Sequence, residues 1–311
     1  MVLLQYFYKT TTALLSSLAL GLCLSKPVFA EWDEWLADME TSFSAEDNIN
    51  NSFYEQEAKS DQFWNGFASF GRIYHFSNYT RMDISAQIDG KVHHEFSRLN
   101  QFYTGLRLGV RHKFGLGPYQ PWIKGYVASG YIFSRSKIRE GYQTQFGIAL
   151  GKPLHDRIDV ELSYQLDHRE SPDTNAIAPQ RLLRAGLDPG ISNSVYDITG
   201  HTIELQFNAL LTQQVLLNMG YAFRRGDIVS TNAPSLAPKL SRVVDAIARD
   251  DAFPGWAYRA DGITHTYSIN ASYAFMEGHA SINLGYQHTG AHADSFSYRN
   301  NSYRINFIYN F

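Results

Sequence analysis

The chain has 311 residues, with 27 Lys and Arg against 30 Asp and Glu, so its formal net charge is −3 and its mean hydropathy is −0.30. A balance this close to neutral, with no stripe of Lys or Arg, excludes the electrostatic pattern of a nucleic-acid-binding protein. No stretch after residue 30 approaches the roughly 18 consecutive apolar residues that a membrane-spanning helix requires.

The first thirty residues have the features of a secretory signal peptide. Lys9 supplies a positive start, residues 12–24 form a short apolar core, and small residues stand at the −3 and −1 positions of a cleavage site after Ala30. We therefore predict a mature chain that begins at Glu31. The only cysteine of the chain lies inside this segment, so a disulfide framework and a thiolate metal site are both excluded for the mature protein.

Residues 31–40, with the sequence EWDEWLADME, predict a short acidic amphipathic helix. Placed at the periplasmic end of the domain that follows, it would pack Trp32, Trp35 and Leu36 against that domain or the membrane interface. A loosely tied amino terminus is the alternative. In either case, we expect the main domain to occupy residues 41–311.

Most of this domain alternates apolar and polar residues with period two. In 80–92, for example, Ile84 and Ile88 fall on one face, and Asp83 and Gln87 fall on the other. A soluble strand averages about five or six residues, whereas a tilted membrane strand needs about nine to eleven. The alternating segments are of the longer kind, which favours membrane strands. Ten of them are clear: 80–92, 101–114, 119–133, 139–150, 157–169, 200–212, 215–224, 263–275, 280–288 and 299–311.

Two further segments, 41–50 and 63–76, are also consistent with strands. Hydrocarbon offers no partner to backbone N–H and C=O groups, so the first strand must pair with the last and the number of strands should be even. We predict an all-β fold: a transmembrane antiparallel up-and-down β-barrel of about twelve strands, with ten as the alternative.

The connections between these segments alternate between short and long. This order is typical of barrels with tight periplasmic turns and long outer loops. The predicted turns are 115–120, 151–156, 212–214 and 277–278, and the predicted outer loops are 93–100, 170–198, 226–262 and 290–298.

The end of the sequence alternates apolar and polar residues down to a terminal aromatic residue. This pattern resembles the C-terminal signature of bacterial outer-membrane proteins, and the general resemblance covers roughly residues 80–311. The resemblance implies residence in the outer membrane of a Gram-negative cell, contact with its lipid, and recognition of the last strand by the barrel assembly machinery. Ile308 departs from the alternation. The apolar positions of the signature are Tyr303, Ile305, Phe307, Tyr309 and Phe311.

The polar faces of the strands carry charges of both signs, which we expect to line the lumen. In a narrow barrel they would pair and fill it, and in a wider one they would face each other across water and create a transverse field. The sequence leaves both alternatives open. The predicted lumen charges are Arg81, Arg107, Arg111, Lys113, Asp159, Glu161, Asp167 and Glu204.

Within the second long loop, residues 239–249 place Leu240, Val243, Val244 and Ile247 at the spacing of a helix with one apolar face. Such a helix could constrict the mouth, lie on the outer leaflet, or pack on neighbouring loops.

One short run suggests catalysis. His75-Phe76-Ser77-Asn78 is similar to the His-x-Ser-Asn run of outer-membrane phospholipases and lipid A deacylases. The resemblance implies His75 as the base and Ser77 as the nucleophile of an acyl hydrolase. Tyr79 stands where a glycine often follows in those families, and the run falls at a predicted periplasmic turn, where Ser-Asn is common.

The sequence therefore favours a small outer-membrane channel, or the barrel component of an export or uptake system. The alternatives are a closed structural or adhesive barrel whose loops 170–198 and 226–262 meet an envelope partner, and the acyl hydrolase. We expect no cofactor, no metal site and no nucleic-acid partner. His93-His94 is the only adjacent histidine pair and lies in a predicted outer loop.

Overall fold

The computed structural model of the chain describes residues 32–171, 192, 194–232, 244–276 and 279–310. No helix in these ranges is long and apolar enough to cross a membrane. Short 3-10 helices lie in three connections, at Glu55–Glu57, Ser97–Leu99 and Lys137–Arg139. The strands are β1 (Trp32–Glu46), β2 (Asp61–His75), β3 (Thr80–His93), β4 (Gln101–Lys113), β5 (Trp122–Ser134), β6 (Gly141–His155), β7 (Ile158–Glu170), β8 (Ile198–Leu210), β9 (Val215–Asn232), β10 (Ala246–Asp250), β11 (Gly255–Phe275), β12 (Ala280–Ala293) and β13 (Ser297–Asn310).

All of these strands except β10 form one closed antiparallel barrel. Each wall strand pairs with the wall strands before and after it, and β9 pairs directly with β11. The ring closes where β1 pairs with β13, from Asp38 opposite Asn310 to Glu46 opposite Ser302. The predicted up-and-down barrel of twelve strands is confirmed, and the alternative of ten is wrong. Closure leaves no open edge in the wall, as hydrocarbon requires.

The outer surface of the wall is apolar. Leu106, Leu162 and Leu284 are 62%, 47% and 57% exposed, and a water-soluble protein would bury most such side chains. Lipid solvates them, so this belt defines the membrane-facing surface. The neighbouring residues on each strand point inward and are mostly polar.

The predicted helix at 31–40 is wrong, because β1 begins at Trp32 and continues as one strand to Glu46. The predicted short first strand at 41–50 is therefore only the second half of a longer one. Trp35 and Met39 lie on the lipid face, 61% and 50% exposed, as period two requires. The strand forms here because β2 and β13 each need a pairing partner along this edge.

The predicted helix at 239–249 is also wrong in its described part. Residues 246–250 form β10, which pairs with the first five residues of β11, Ala246 lying opposite Arg259 and Asp250 opposite Gly255. Backbone pairing with a strand that already extends beyond the wall outweighs the helical spacing of four apolar residues. Residues 239–243 lie outside the described residues.

Two wall strands are longer than the rest. β9 has 18 residues and β11 has 21, against 13 to 15 in the other wall strands. β9 pairs with β8 only up to Gly226, and β11 pairs with β12 only from Gly262 onward; Gly262 is the register partner of Gly226. Beyond the Gly226–Gly262 pair the two strands extend past the wall as residues 227–232 and 255–261. This extension and β10 together are called the cap.

The predicted signal peptide and the terminal Phe311 lie outside the described residues, so the leader and the assembly signal stay predictions. Tyr303, Ile305 and Phe307 are described, and all three are exposed on the lipid face of β13.

Leu106→Arg should destabilise the barrel by about 2–4 kcal/mol, because it places a charge near the middle of the lipid-facing surface. The inward Gln87→Arg, which makes the same new side chain on the adjacent strand, should stay within about 0.5 kcal/mol of the wild type. Urea unfolding in lipid vesicles measures both. Equal losses in the two variants would contradict the assignment of the lipid face.

Candidate functional site in the barrel lumen

A group of cations lines one side of the lumen on three adjacent strands, β3, β4 and β5. In the pairing register Arg81 lies opposite Arg111, which in turn lies opposite Lys124. Among the described residues, none of the members forms an ion pair within 4 Å with a carboxylate. This surface, called the cation wall, consists of Arg81, Arg107, Arg111, Lys113 and Lys124.

Two arginines of the cation wall are held by aromatic rings that lie flat on glycines. The guanidinium carbon of Arg107 lies 4.3 Å from the ring centroid of Tyr126, and that of Arg111 lies 4.4 Å from the ring centroid of Trp122. A Cβ added at Gly147 would overlap the Tyr126 ring, and one added at Gly151 would overlap the Trp122 ring. Each glycine thus leaves the space in which a ring can lie against the wall. The result is two parallel stacks of arginine, ring and backbone.

The carboxylates predicted for the lumen separate into two kinds. Asp167 accepts two hydrogen bonds from Arg224, at 3.0 and 3.1 Å, and this bidentate ion pair braces β7 against β9. Asp159, Glu161 and Glu204 form no such ion pair among the described residues. They form an acidic surface on β7 and β8, separated from the cation wall by β6.

A row of amide side chains continues from the acidic surface around the wall. Asn208 donates to Asp159 at 2.7 Å, Asn218 donates to Asn208 at 2.6 Å, and Asn270 donates to Asn218 at 3.0 Å. The donors all point towards the carboxylate, so the hydrogen bonds polarise one another in one direction. This side of the lumen presents amide oxygens and hydroxyl groups, with Arg304 beyond the end of the row.

Two cavities show that side chains do not fill the lumen. One, of about 280 Å³, is lined by the amide row together with Asn283 and Arg304. The other, of about 330 Å³, lies at the turn end and includes Arg81, Arg111 and Lys113 in its lining. At roughly 30 Å³ per water molecule, each cavity has room for several waters.

The opposite, loop end of the barrel is covered by the cap. Ile247, Tyr258 and Ala260 of the cap are at most 3% exposed and pack with Phe296 of the β12–β13 connection. A second buried cluster joins Ala246, Ala248 and Ala257 of the cap to Ile138, Val195 and Tyr196, which belong to the β5–β6 and β7–β8 connections. Connections from different sides of the barrel therefore pack against the cap in two buried clusters.

A buried ion pair ties the cap to the β5–β6 connection. Arg139 donates to Asp250 at 2.5 Å, and their side chains are 15% and 0% exposed. The guanidinium also lies 4.4 Å from the ring centroid of Tyr196. Burial raises the pKa of the Tyr196 phenol well above its usual value, so this ring stays neutral beside the cation.

Hydrogen bonds also tie the cap to connections on the other side of the barrel. From the β1–β2 connection, the carbonyl of Asn50 accepts the N–H of Thr231 at 2.9 Å, and Ser52 Oγ donates to Asn232 at 2.6 Å. From the β3–β4 connection, the exposed Arg98 pairs with Asp251, which follows β10, at 3.2 Å. The cap is thus fastened at several points around the rim.

The proposed acyl-transfer pair lies at the turn end, in the β2–β3 turn. Ser77 Oγ accepts the backbone N–H groups of Tyr79 and Thr80, both at 3.2 Å, as serine does in a tight turn. The structure describes both side chains, and no hydrogen bond joins His75 to Ser77. The pair thus lacks the contact through which a base activates a serine. Both residues line the turn-end cavity.

Four side chains that belong to the cation wall, the stacks or the ion pair of the lumen do not follow from the sequence pattern: Lys124, Tyr126, Trp122 and Arg224. The first three lie on the segment 119–133, whose alternation is the least regular because glycines interrupt both of its faces. Arg224 does alternate correctly, but its partner Asp167 is 57 residues away, and only the register of β8 between them brings the pair together.

The structure is similar to that of an outer-membrane channel from Pseudomonas putida F1, with a TM-score of 0.53 and 10% sequence identity over 92% of this chain and 99% of that one. The chain has the fold of an outer-membrane β-barrel. Together with the apolar belt, this fold places the protein in the outer membrane. The NanC porin (TM-score 0.44, 9% identity, 88% and 98% covered) and the KdgM porin (0.40, 9%, 88% and 99%) are more distant. No protein-family model matches the chain, and no curated protein matches it in sequence.

Gly147→Val should force the Tyr126 ring off the wall and break its hydrogen bond to Gln165, which measures 2.8 Å. Overpacking of this kind costs typically about 1–3 kcal/mol. Gly66→Val is the matched control, because a Cβ there meets nothing within 4 Å. Unfolding in vesicles, followed by Trp fluorescence, should show a loss for the first variant only. If both variants unfold like the wild type, the position of the Tyr126 ring does not depend on a glycine at position 147.

Proposed function

We propose that this protein is an outer-membrane channel for small polar solutes, whose outer mouth opens and closes by movement of the cap. The carrying observation is the cation wall: among the described residues none of its cations has a carboxylate within 4 Å, and side chains do not fill the turn-end cavity beside it. The acyl-hydrolase alternative has less support, since Ser77 serves as a turn acceptor.

The unpaired state of the cation wall argues for water in the lumen. An ionised group placed in a dry, low-dielectric interior without a partner carries a penalty of several kcal/mol. In a barrel whose lumen is filled by side chains, selection for stability would pair such charges, as Asp167 and Arg224 are paired nearer the loop end. The cation wall is instead stable if water and mobile ions solvate it, which is the condition for conduction.

The charges also give the lumen a direction across its width. The cation wall on β3–β5 and the acidic surface on β7–β8 lie on the two sides of β6, whose inward residues there, Gly147, Ala149 and Gly151, are small and uncharged. The amide row continues from the acidic surface onto β9 and β11. A solute that carries both a negative group and hydroxyl or amide groups would find complementary surfaces on the two sides.

A closed barrel that binds a partner through its loops is the second candidate, and the packed cap favours it. The two buried clusters of the cap and the buried Arg139–Asp250 pair hold the cap over the mouth of the barrel. The two candidates differ in one respect: a channel must conduct when the cap is loosened, and a closed barrel must not.

The test of the proposed function is single-channel recording in planar bilayers with Arg139→Gln. This variant leaves Asp250 buried without its partner, a loss worth about 3–5 kcal/mol, so the cap should open more often and conductance steps should become more frequent than in the wild type. Arg98→Gln is the control, because its ion pair with Asp251 is 61% exposed on the arginine side and contributes little.

Silence in both the wild type and Arg139→Gln, with each protein folded and inserted, would refute the channel and leave the closed barrel. Frequent steps in Arg98→Gln as well would show that the cap is not held by the buried pair.

Ion selectivity gives a second prediction. Neutralising part of the cation wall with Arg107→Gln and Lys124→Gln should shift the reversal potential in a KCl gradient towards cation preference, because fewer fixed cations attract chloride. Asp159→Asn with Glu161→Gln should shift it in the opposite direction. Shifts of the same sign in the two double variants would show that these side chains do not face the conducting path.

A further inference from the structure

We propose that the turn-end cavity is a binding site for a phosphate-class oxyanion, formed by Arg81, Arg111 and Lys113. This inference goes beyond the proposed function, because the site can bind whether or not the barrel conducts.

The cavity lies where the β2–β3 and β4–β5 turns meet the inner face of the wall. Its volume of about 330 Å³ is sufficient for a phosphate group with its hydration water. The lining also contains the polar side chains of Asn78 and Gln120, which can donate hydrogen bonds. Among the residues that the structure describes, no Asp or Glu side chain lines the cavity, so the charged side chains of this lining are all cationic.

The three cations are gathered by the register of β3 and β4. Arg81 and Arg111 are directly opposite each other on the inner face, and Lys113 is the next inward residue after Arg111. Like charges directly opposite one another destabilise a sheet. Among the described residues, none of the three has a carboxylate within 4 Å to offset this repulsion. A bound anion with more than one negative charge would offset it.

Arg111 is held in place before any ligand arrives. Its guanidinium lies 4.4 Å from the Trp122 ring centroid, and Trp122 is itself packed on Gly151. A planar guanidinium fixed by stacking presents its N–H groups as a fork that matches two oxygens of a tetrahedral oxyanion. Lys113 and Arg81 supply two more charges towards the same cavity, which suits a divalent anion better than a monovalent carboxylate.

The position of the site favours a soluble ligand over a lipid. The three cations point into the lumen, on the opposite face of β3 and β4 from the lipid-exposed Ile84, Leu108 and Val110. A phosphate-bearing solute in the periplasm or in the lumen can reach them. A lipid headgroup would have to reach around the turn end of the wall to contact them, and titration in nanodiscs tests this source.

The experiment is calorimetric titration of the folded full chain, in a detergent with an uncharged headgroup, with inorganic pyrophosphate, inorganic phosphate and acetate at constant ionic strength. We expect pyrophosphate to bind more tightly than phosphate, and acetate to give no measurable binding. Arg111→Gln and Lys113→Gln should each weaken pyrophosphate binding about tenfold, the usual effect of removing one charge-assisted hydrogen bond. Arg157→Gln, which removes an exposed cation from the neighbouring turn outside the cavity, should bind like the wild type.

Two further variants test how Arg111 is held. Trp122→Leu keeps all three charges but removes the ring, so we expect several-fold weaker binding with the same dependence on salt concentration as the wild type. Arg111→Lys keeps the charge and loses the planar fork, and should restore only part of the affinity that Arg111→Gln loses. Full restoration by lysine would show that charge alone acts at this position and would overturn the proposed role of the stack.

The same titration in nanodiscs with and without phosphatidylglycerol identifies the source of the oxyanion. Unchanged pyrophosphate affinity supports a soluble ligand, and competition by the anionic lipid assigns the site to a headgroup. Absence of pyrophosphate binding, equal binding of acetate, or wild-type affinity in the Arg111→Gln and Lys113→Gln variants would overturn the proposal. A barrel that binds pyrophosphate but gives no conductance steps, either as the wild type or as Arg139→Gln, would refute the proposed channel and leave this site standing.

Discussion

Backbone hydrogen bonding in lipid is the constraint on which the rest of this structure depends. Within the bilayer no N–H or C=O group can be left to water, so each strand must have a partner on both sides and the last strand must meet the first. The seam between β1 and β13 satisfies this requirement. Once the wall is closed, every side chain faces either lipid or the lumen. The polar residues of the chain are thereby concentrated in a narrow interior, where their arrangement determines what the barrel can do.

The interior organises its charges in two ways. Where ions of opposite sign face one another within reach, as in the pair formed by Asp167 and Arg224, they bridge the strands and stiffen the wall. On β4, two arginines are held by aromatic rings of β5, and these rings lie against glycines on the inner face of β6. Stacking fixes a guanidinium without neutralising it. This part of the lumen therefore keeps both its positive charge and the free space beside it.

The fold could be predicted from sequence because lipid and water impose opposite solvation on successive residues. That signal is local, repeated twelve times, and independent of which strand pairs with which. The alternation did not identify the strand at residues 31–40, because the tryptophans and acidic residues there fit both a helical and an alternating pattern. The strand forms because β2 and β13 each require a pairing partner, and β1 supplies it. The alternation also did not identify the strand at 246–250, where pairing with β11 determined the conformation.

The site was less predictable for a related reason. Inward-facing charges such as Arg107 and Glu161 follow from the alternation, but their partners do not. Whether a charge is paired, stacked or free depends on the register between strands that are far apart in sequence. The stacks of Arg107 on Tyr126 and of Arg111 on Trp122 also need glycines on a third strand, and a pattern taken from one strand at a time cannot show such a combination.

The row formed by Gly200, Gly226 and Gly262 crosses three neighbouring strands at the level where the cap separates from the wall. Gly226 has a φ of 144°, a conformation that residues with a Cβ rarely adopt. Because β9 and β11 continue through this row without a break, the cap and the wall are one continuous piece of sheet, with the glycine row where the two meet. Moving the cap relative to the wall would therefore bend the β9–β11 ribbon, so the stiffness of its backbone, together with the contacts around the rim, would set the force needed to open the mouth.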